Sequence, residues 1–178
     1  MQKNGEIFEV KTSAGSIKAR KVILAMGVRG SPRRLGLPNE DLPKVTYNLL
    51  DPEQYQKKNV AVVGGGNAAV EAAQYLAKKQ YENKVTLLVR GAGFDRCNEE
   101  NQKIVLDLQK QGLLDIWFES TVAEISADSL TIKKQNELKK AANDYLFVFA
   151  GAEMPFKFLM SLGVSIEKKY GEALKKAE

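Results

Sequence analysis

Three consecutive glycines, Gly64-Gly65-Gly66, separate a short apolar run, Asn59-Val60-Ala61-Val62-Val63, from a stretch of helix formers over residues 67–79. A strand that breaks this sharply into a helix leaves few folds open. Lys84-Val85-Thr86-Leu87-Leu88-Val89 follows as a second buried-type strand. The segment therefore reads as a βαβ unit with two parallel strands. Within the break, Gly64-x-Gly66-x-x-Ala69 has the spacing of a dinucleotide-binding fingerprint with alanine in its third place. Gly64 allows the tight turn, Gly66 lets backbone approach a pyrophosphate, and Ala69 keeps helix and strand close. Gly65, Asn67 and Ala68 complete the expected cradle, because the free N–H groups and positive dipole end of the helix lie there. A glycine-rich turn with no ligand is the alternative that these residues leave open.

The residues after the second strand choose between coenzymes. A site for NAD(H) offers a carboxylate to the ribose 2′-hydroxyl, whereas a 2′-phosphate calls for a guanidinium. Here the strand runs into Val89-Arg90-Gly91-Ala92-Gly93, and the first carboxylate is Asp95. Arg90 is the candidate phosphate ligand, through two parallel hydrogen bonds, with Arg96 as a second contact. NADP(H) is expected over NAD(H); the alternative for both arginines is a plain surface charge. Ala150 and Gly151 follow the apolar run 145–149, at the carboxyl end of a strand, where open α/β sheets bind ligands. Contact with the nicotinamide half and a simple chain reversal both fit that position.

The remaining patterns build an α/β fold around this unit. Residues 7–20 alternate about Ser13-Ala14-Gly15-Ser16 and predict a β-hairpin leading into an apolar strand over 21–26. Residues 27–47 carry Pro32, Pro38 and Pro43 and read as a connector. Asp51-Pro52 starts a short helix, with Asp51 as its cap. Asn98 caps a helix through Gln111 that Gly112 ends, and Ile116-Trp117-Phe118 is a third parallel strand. Residues 121–127, 130–134 and 138–141 form an antiparallel meander, 145–149 a last buried strand, and 156–162 a short helix before a Lys-rich, frayed tail. The expected architecture is a Rossmann-like parallel sheet with helices and an antiparallel β-meander. Three segments are expected: strands and linker over 1–45, the nucleotide-binding domain over 46–152, and a returning segment over 153–178.

Composition removes several other functions. The chain has no histidine, so neither a Ser-His or Cys-His couple nor a His-based metal site can form on it. Cys97 is the single cysteine, which excludes an intrachain dithiol; its place after Arg96 and before a helix start could lower its pKa, though inertness is the commoner state. The net charge of +5 is concentrated in residues 1–36, without an aromatic-interleaved basic stripe, so no nucleic-acid partner is expected. No apolar run approaches membrane-spanning length and no leader opens the sequence, so a cytoplasmic protein without a membrane partner is expected. Tyr75 and Lys79 match a Tyr-x-x-x-Lys spacing by coincidence, since both fall on the helix after the glycines.

The same residues resemble a family. Val22-Ile23-Leu24-Ala25-Met26-Gly27 and Pro32 to Asp41 are similar to the Ala-Thr-Gly segment and linker of thioredoxin-reductase-like flavoproteins. Val62 to Ala73 resembles their NADPH fingerprint, Val85 to Arg90 with Phe94 their 2′-phosphate loop, and Asp144 to Pro155 the strand and turn that leave the domain. The resemblance implies a two-domain enzyme in which NADPH reduces FAD, and it places Glu71 near the nicotinamide; an exposed helix glutamate is the alternative. Asn67 stands where an aspartate is often found, or caps its helix. The Cys-x-x-Cys of thioredoxin reductases is missing from Val45 to Pro52, so the closer resemblance is to bacillithiol-disulfide-reductase-like proteins and thioredoxin-reductase-type ferredoxin–NADP reductases. Val89-Arg90-Gly91 stands in place of their His-Arg-Arg, which implies a weaker grip on the 2′-phosphate.

No second Gly-x-Gly-x-x-Gly precedes Gly27, and no Gly-Asp flavin segment follows Gly151. The chain is therefore expected to be an NADPH domain with flanking strands of an incomplete FAD domain, as a fragment or a shortened protein. Its expected partners are the missing FAD-binding domain and an unidentified electron acceptor, with FAD bound only in a full-length context. A homodimer through Phe8, Val10 and Ile23 is a further expectation, and a stand-alone nucleotide-binding or sensor module is the alternative function.

Overall fold

The computed structural model describes residues 1–25, 32–152 and 156–165. The chain divides into two compact units, Pro32–Ala152 and the combination of Met1–Ser31 with Glu153–Glu178.

In the terminal unit, β1 (Gln2–Asn4), β2 (Ile7–Thr12) and β3 (Gly15–Ala19) form an antiparallel sheet in that order. The β2–β3 hairpin closes with Thr12 opposite Gly15, as its alternation predicts. The expected strand over 21–26 is corrected: residues 21–25 form no strand, and Ile23 is 92% exposed. β-branched residues favour extended backbone, but a strand also needs a neighbour for its N–H and C=O groups. Helix α3 spans Phe156–Ser161. Met26-Gly27, Pro155 and the Lys-rich tail lie outside the described residues.

The Pro32–Ala152 unit is built on a five-stranded parallel sheet. Its strands are β4 (Val45–Thr46), β5 (Asn59–Val63), β6 (Lys84–Leu88), β7 (Leu114–Trp117) and β11 (Tyr145–Val148), in the order β4-β11-β5-β6-β7. Helices α1 (Asn67–Leu76) and α2 (Glu99–Lys110) cross over between β5, β6 and β7. β8 (Ser120–Ile125), β9 (Ser129–Lys134) and β10 (Glu137–Ala142) form the antiparallel meander. Alternate residues of each central strand enter two different cores, which is why these strands read as continuous apolar runs. Val60, Val62, Val85, Leu87 and Phe147 pack with Val70, Leu76 and Val105 of the helices. Ala61, Leu88, Leu146 and Val148 face Val122, Ile125, Leu130 and Ile132 of the meander. Among the described residues no helix is long and apolar enough to cross a membrane.

Several boundaries differ from expectation, among them the third parallel strand, which is Leu114–Trp117 rather than 116–118, and the first meander strand, which is Ser120–Ile125 rather than 121–127. Helix α1 ends at Leu76, and a separate 3-10 turn covers Lys79–Tyr81. A 3-10 turn, Pro52–Gln54, follows the Asp51 cap, whose carboxylate accepts from Glu53 N. Residues 32–45, read from sequence with the first segment, belong to the second unit. Leu35, Leu37, Leu42 and Val45 pack on the meander-side core, Asn39 Nδ2 donates to Ile125 O at 2.8 Å, and buried Lys44 donates to Ser129 O and Asn143 O at 3.2 Å each. Glu40 is 4% exposed and accepts from the backbone N–H groups of Leu35, Gly36 and Leu37 and from Tyr47 Oη.

Candidate nucleotide-binding site

The carboxyl ends of β5, β6 and β11 meet at the glycine bend. Gly64 N donates to Leu88 O at 3.0 Å, and Phe149 N donates to Val63 O at 2.8 Å. Gly64 has φ +142°, and a Cβ there would lie 2.6 Å from Phe149 O and 2.7 Å from Ala69 Cβ. The turn and the close helix–strand approach thus meet at one residue. A Cβ on Gly65 would come to 3.0 Å from Val89 Cγ1, also a tight position. Gly66 is different. Its backbone is ordinary extended chain, φ −98° and ψ 174°, and a Cβ would meet only Arg96 O at 3.8 Å.

Gly66 is also the N-cap of α1, and it supplies no side-chain oxygen for the first-turn amides. The other helix at this edge is capped conventionally, with Asn98 Oδ1 accepting from Asn101 N at 2.8 Å. The exposed start of α1, Asn67 and Ala68, therefore carries N–H groups with neither an intrahelical nor a side-chain partner. Asn67 does not cap its own helix, correcting one of the two sequence readings; its Oδ1 instead accepts from Asn98 N at 2.8 Å. Asn101 Nδ2 donates to Glu71 Oε1 at 2.8 Å, so Glu71 is exposed but anchored.

The loop after β6 returns to the bend, where Gly66 and Arg96 form an isolated parallel bridge. Arg90 and Arg96 are exposed, and neither guanidinium has a hydrogen-bond or ion-pair partner among the described residues. The carboxylate of Asp95 folds back toward the strand end, within 3.4 Å of where a Gly91 Cβ would be. Cys97 is buried on the same loop, and burial, reinforced by the charge of Glu71, pushes its thiol above the ordinary value. The sequence cues for a lowered Cys97 pKa are overturned by this environment. Ala150 and Gly151 follow the end of β11, with Gly151 at φ +95° and its carbonyl accepting from Arg33 N at 3.0 Å. The edge therefore gathers Gly64, Gly65, Gly66, Ala69 and Arg96 directly, and sets Ala150 and Gly151 beyond the Phe149 contact.

Sequence reasoning passed over one group here. Gln102 Nε2 donates to Phe94 O at 3.2 Å and to Cys97 O at 2.7 Å, tying the loop to α2. The cluster Asn98, Asn101 and Gln102 at a helix start was the available signal, but only its capping residue was used.

Comparison with known proteins adds the family context. The family described as pyridine nucleotide-disulphide oxidoreductase matches residues 1–177. The chain is 31% identical over 172 residues to bacilliredoxin reductase Bdr of Bacillus subtilis (strain 168), covering 92% of this chain and 51% of that protein. It is 33% identical over 170 residues to a ferredoxin–NADP reductase of Ignicoccus hospitalis, covering 94% and 55%. The solved bacillithiol disulfide reductase Bdr (YpdA) of Staphylococcus aureus superposes with a TM-score of 0.88 at 27% identity, over 94% of this chain and 52% of that one. The chain thus spans about half the length of the curated relatives it matches.

Proposed function

Because the chain belongs to the pyridine nucleotide-disulphide oxidoreductase family, we propose that its Pro32–Ala152 unit binds NADPH and positions it for hydride transfer to an FAD held by another domain. The observation that carries this reading is Gly66. The chain's own packing makes no demand for glycine at that position, where backbone is ordinary and side-chain space is open. A residue without Cβ there suits the close approach of a ligand from outside the chain.

Bound NADPH would supply the hydride; the protein supplies orientation. The uncapped amides of Asn67 and Ala68 donate to the diphosphate, with Gly64, Gly65 and Gly66 keeping side chains out of its way and Ala69 holding α1 against the bend. Arg90 and Arg96, both without protein partners, hold the 2′-phosphate, two guanidiniums against the single carboxylate of Asp95. Ala150 and Gly151 present backbone to the nicotinamide half, whereas Glu71, one turn along α1, is fixed by Asn101 of α2 on the side of the 94–98 loop. Residues outside this unit are assigned to an incomplete FAD domain.

Calorimetry on the purified chain tests the reading. NADPH is expected to bind more tightly than NADH, and Arg90→Ala to weaken NADPH by about 10–100-fold, the loss of a charge-assisted hydrogen bond, with little change for NADH. Equal or tighter NADH binding by the unaltered chain overturns the roles of Arg90 and Arg96. Binding of neither nucleotide overturns the domain assignment.

A further inference from the structure

Gln102 sits in the first turns of α2, and its one amide nitrogen donates to two carbonyls, Phe94 O and Cys97 O. Those acceptors bracket Asp95 and Arg96, both exposed. One side chain, carried by a helix, therefore closes residues 94–97 into a turn. The rest of the turn is also held. The Phe94 ring meets Phe118 edge-on at 5.1 Å, Cys97 is buried in the helix-side core, and Gly66 bridges to Arg96. The backbone on both sides of Arg96 is tied down, while its guanidinium has no partner among the described residues.

We propose that Gln102 is a positioning residue for coenzyme selectivity. It touches no part of the coenzyme, but by fixing the 94–97 turn it holds Arg96 ready for the 2′-phosphate. Ordering that turn only on binding would subtract from affinity, and the subtraction would fall on the phosphorylated coenzyme alone. The inference rests on the NADPH reading above and extends it to the residue that makes Arg96 effective.

The test is a double-mutant cycle on the full chain, with Gln102→Leu, Arg96→Ala and the combined variant titrated with NADPH and with NADH. Gln102→Leu is expected to weaken NADPH about tenfold and to leave NADH unchanged, since NADH relies on the glycine bend. In the combined variant, NADPH should bind no more weakly than in Arg96→Ala alone, because Gln102 acts through that arginine. An unchanged NADPH-to-NADH ratio in Gln102→Leu overturns the proposal. So does an equal loss for both nucleotides, which marks a merely structural amide, or full additivity in the combined variant. Gln102→Met removes the donors with little change of shape or charge and is judged by the same outcomes if the leucine variant does not fold. An unaltered chain without NADPH preference would fail the functional reading itself. A preference retained in Gln102→Leu fails only the role of Gln102.

Discussion

At Gly64 an added methyl group would lie 2.6 Å from the Phe149 carbonyl oxygen in a backbone of φ +142°. Phe149 and Ala69 both pack in the helix-side core and cannot yield without disturbing it, so Gly64→Ala is expected to cost more than about 2 kcal/mol. Two residues on, the same methyl group meets only Arg96 O at 3.8 Å, and Gly66→Ala is expected to cost less than about 1 kcal/mol of stability. The functional effects run the other way: Gly66→Ala should fold and lose NADPH binding. Urea denaturation followed by calorimetry separates the two. A Gly66→Ala chain that binds NADPH normally removes the central support for the site. The spacing of these glycines was legible in the sequence, because a turn between an apolar run and an alanine-rich helix is a local pattern. The contact that constrains Gly64 was not legible, since Phe149 arrives from a strand 85 residues away in sequence.

Among the elements, those with both faces covered were the ones the sequence displayed. β5, β6 and β11 bury alternate residues in two cores, and their apolar runs follow directly. β1 and β4 escaped notice because pairing rather than burial makes them strands: Gln2, Lys3 and Asn4 are all exposed, and β4 is two residues long. The connector 32–45 escaped for another reason. Its order comes from Glu40, from Leu35, Leu37 and Leu42 on the meander-side core and from Asn39 and Lys44 bonded to distant carbonyls, and residues spaced this way between prolines carry no periodic signal. Burial alone would raise the pKa of Glu40, but the hydroxyl of Tyr47 and three backbone N–H groups outweigh it and hold the carboxyl below its ordinary value. The same pairing, with burial as the larger cause, pushes Tyr47 up to about 12. A carboxyl lowered on folding stabilises the fold above its unfolded pKa and loses that contribution as pH falls through the folded value. Glu40→Gln is therefore expected to destabilise the chain by about 1–3 kcal/mol near neutral pH, because the amide turns an N–H toward existing donors. The gap between the two proteins should narrow toward about pH 3, as read from urea midpoints at both pH values. A gap that is the same in acid would mean that the charge on Glu40 contributes nothing to the clasp.

For the molecule as a whole, every residue proposed to hold NADPH belongs to the Pro32–Ala152 unit. The chain covers 51% of the Bacillus subtilis relative and 55% of the Ignicoccus hospitalis one. On the proposed reading, flavin is held by residues outside the nucleotide unit. Hydride transfer needs donor and acceptor atoms within about 3–3.5 Å in a fixed orientation, so nucleotide binding and flavin reduction should be separable in this chain. The purified 178-residue protein is expected to bind NADPH, to show no flavin absorption bands, and to leave the rate of NADPH oxidation by an added dye unchanged. Absorption spectra before and after NADPH, with a dye-reduction assay on the same sample, check all three expectations. A yellow protein whose colour bleaches on adding NADPH would place flavin contacts within these residues, and the division of labour proposed here would have to be redrawn.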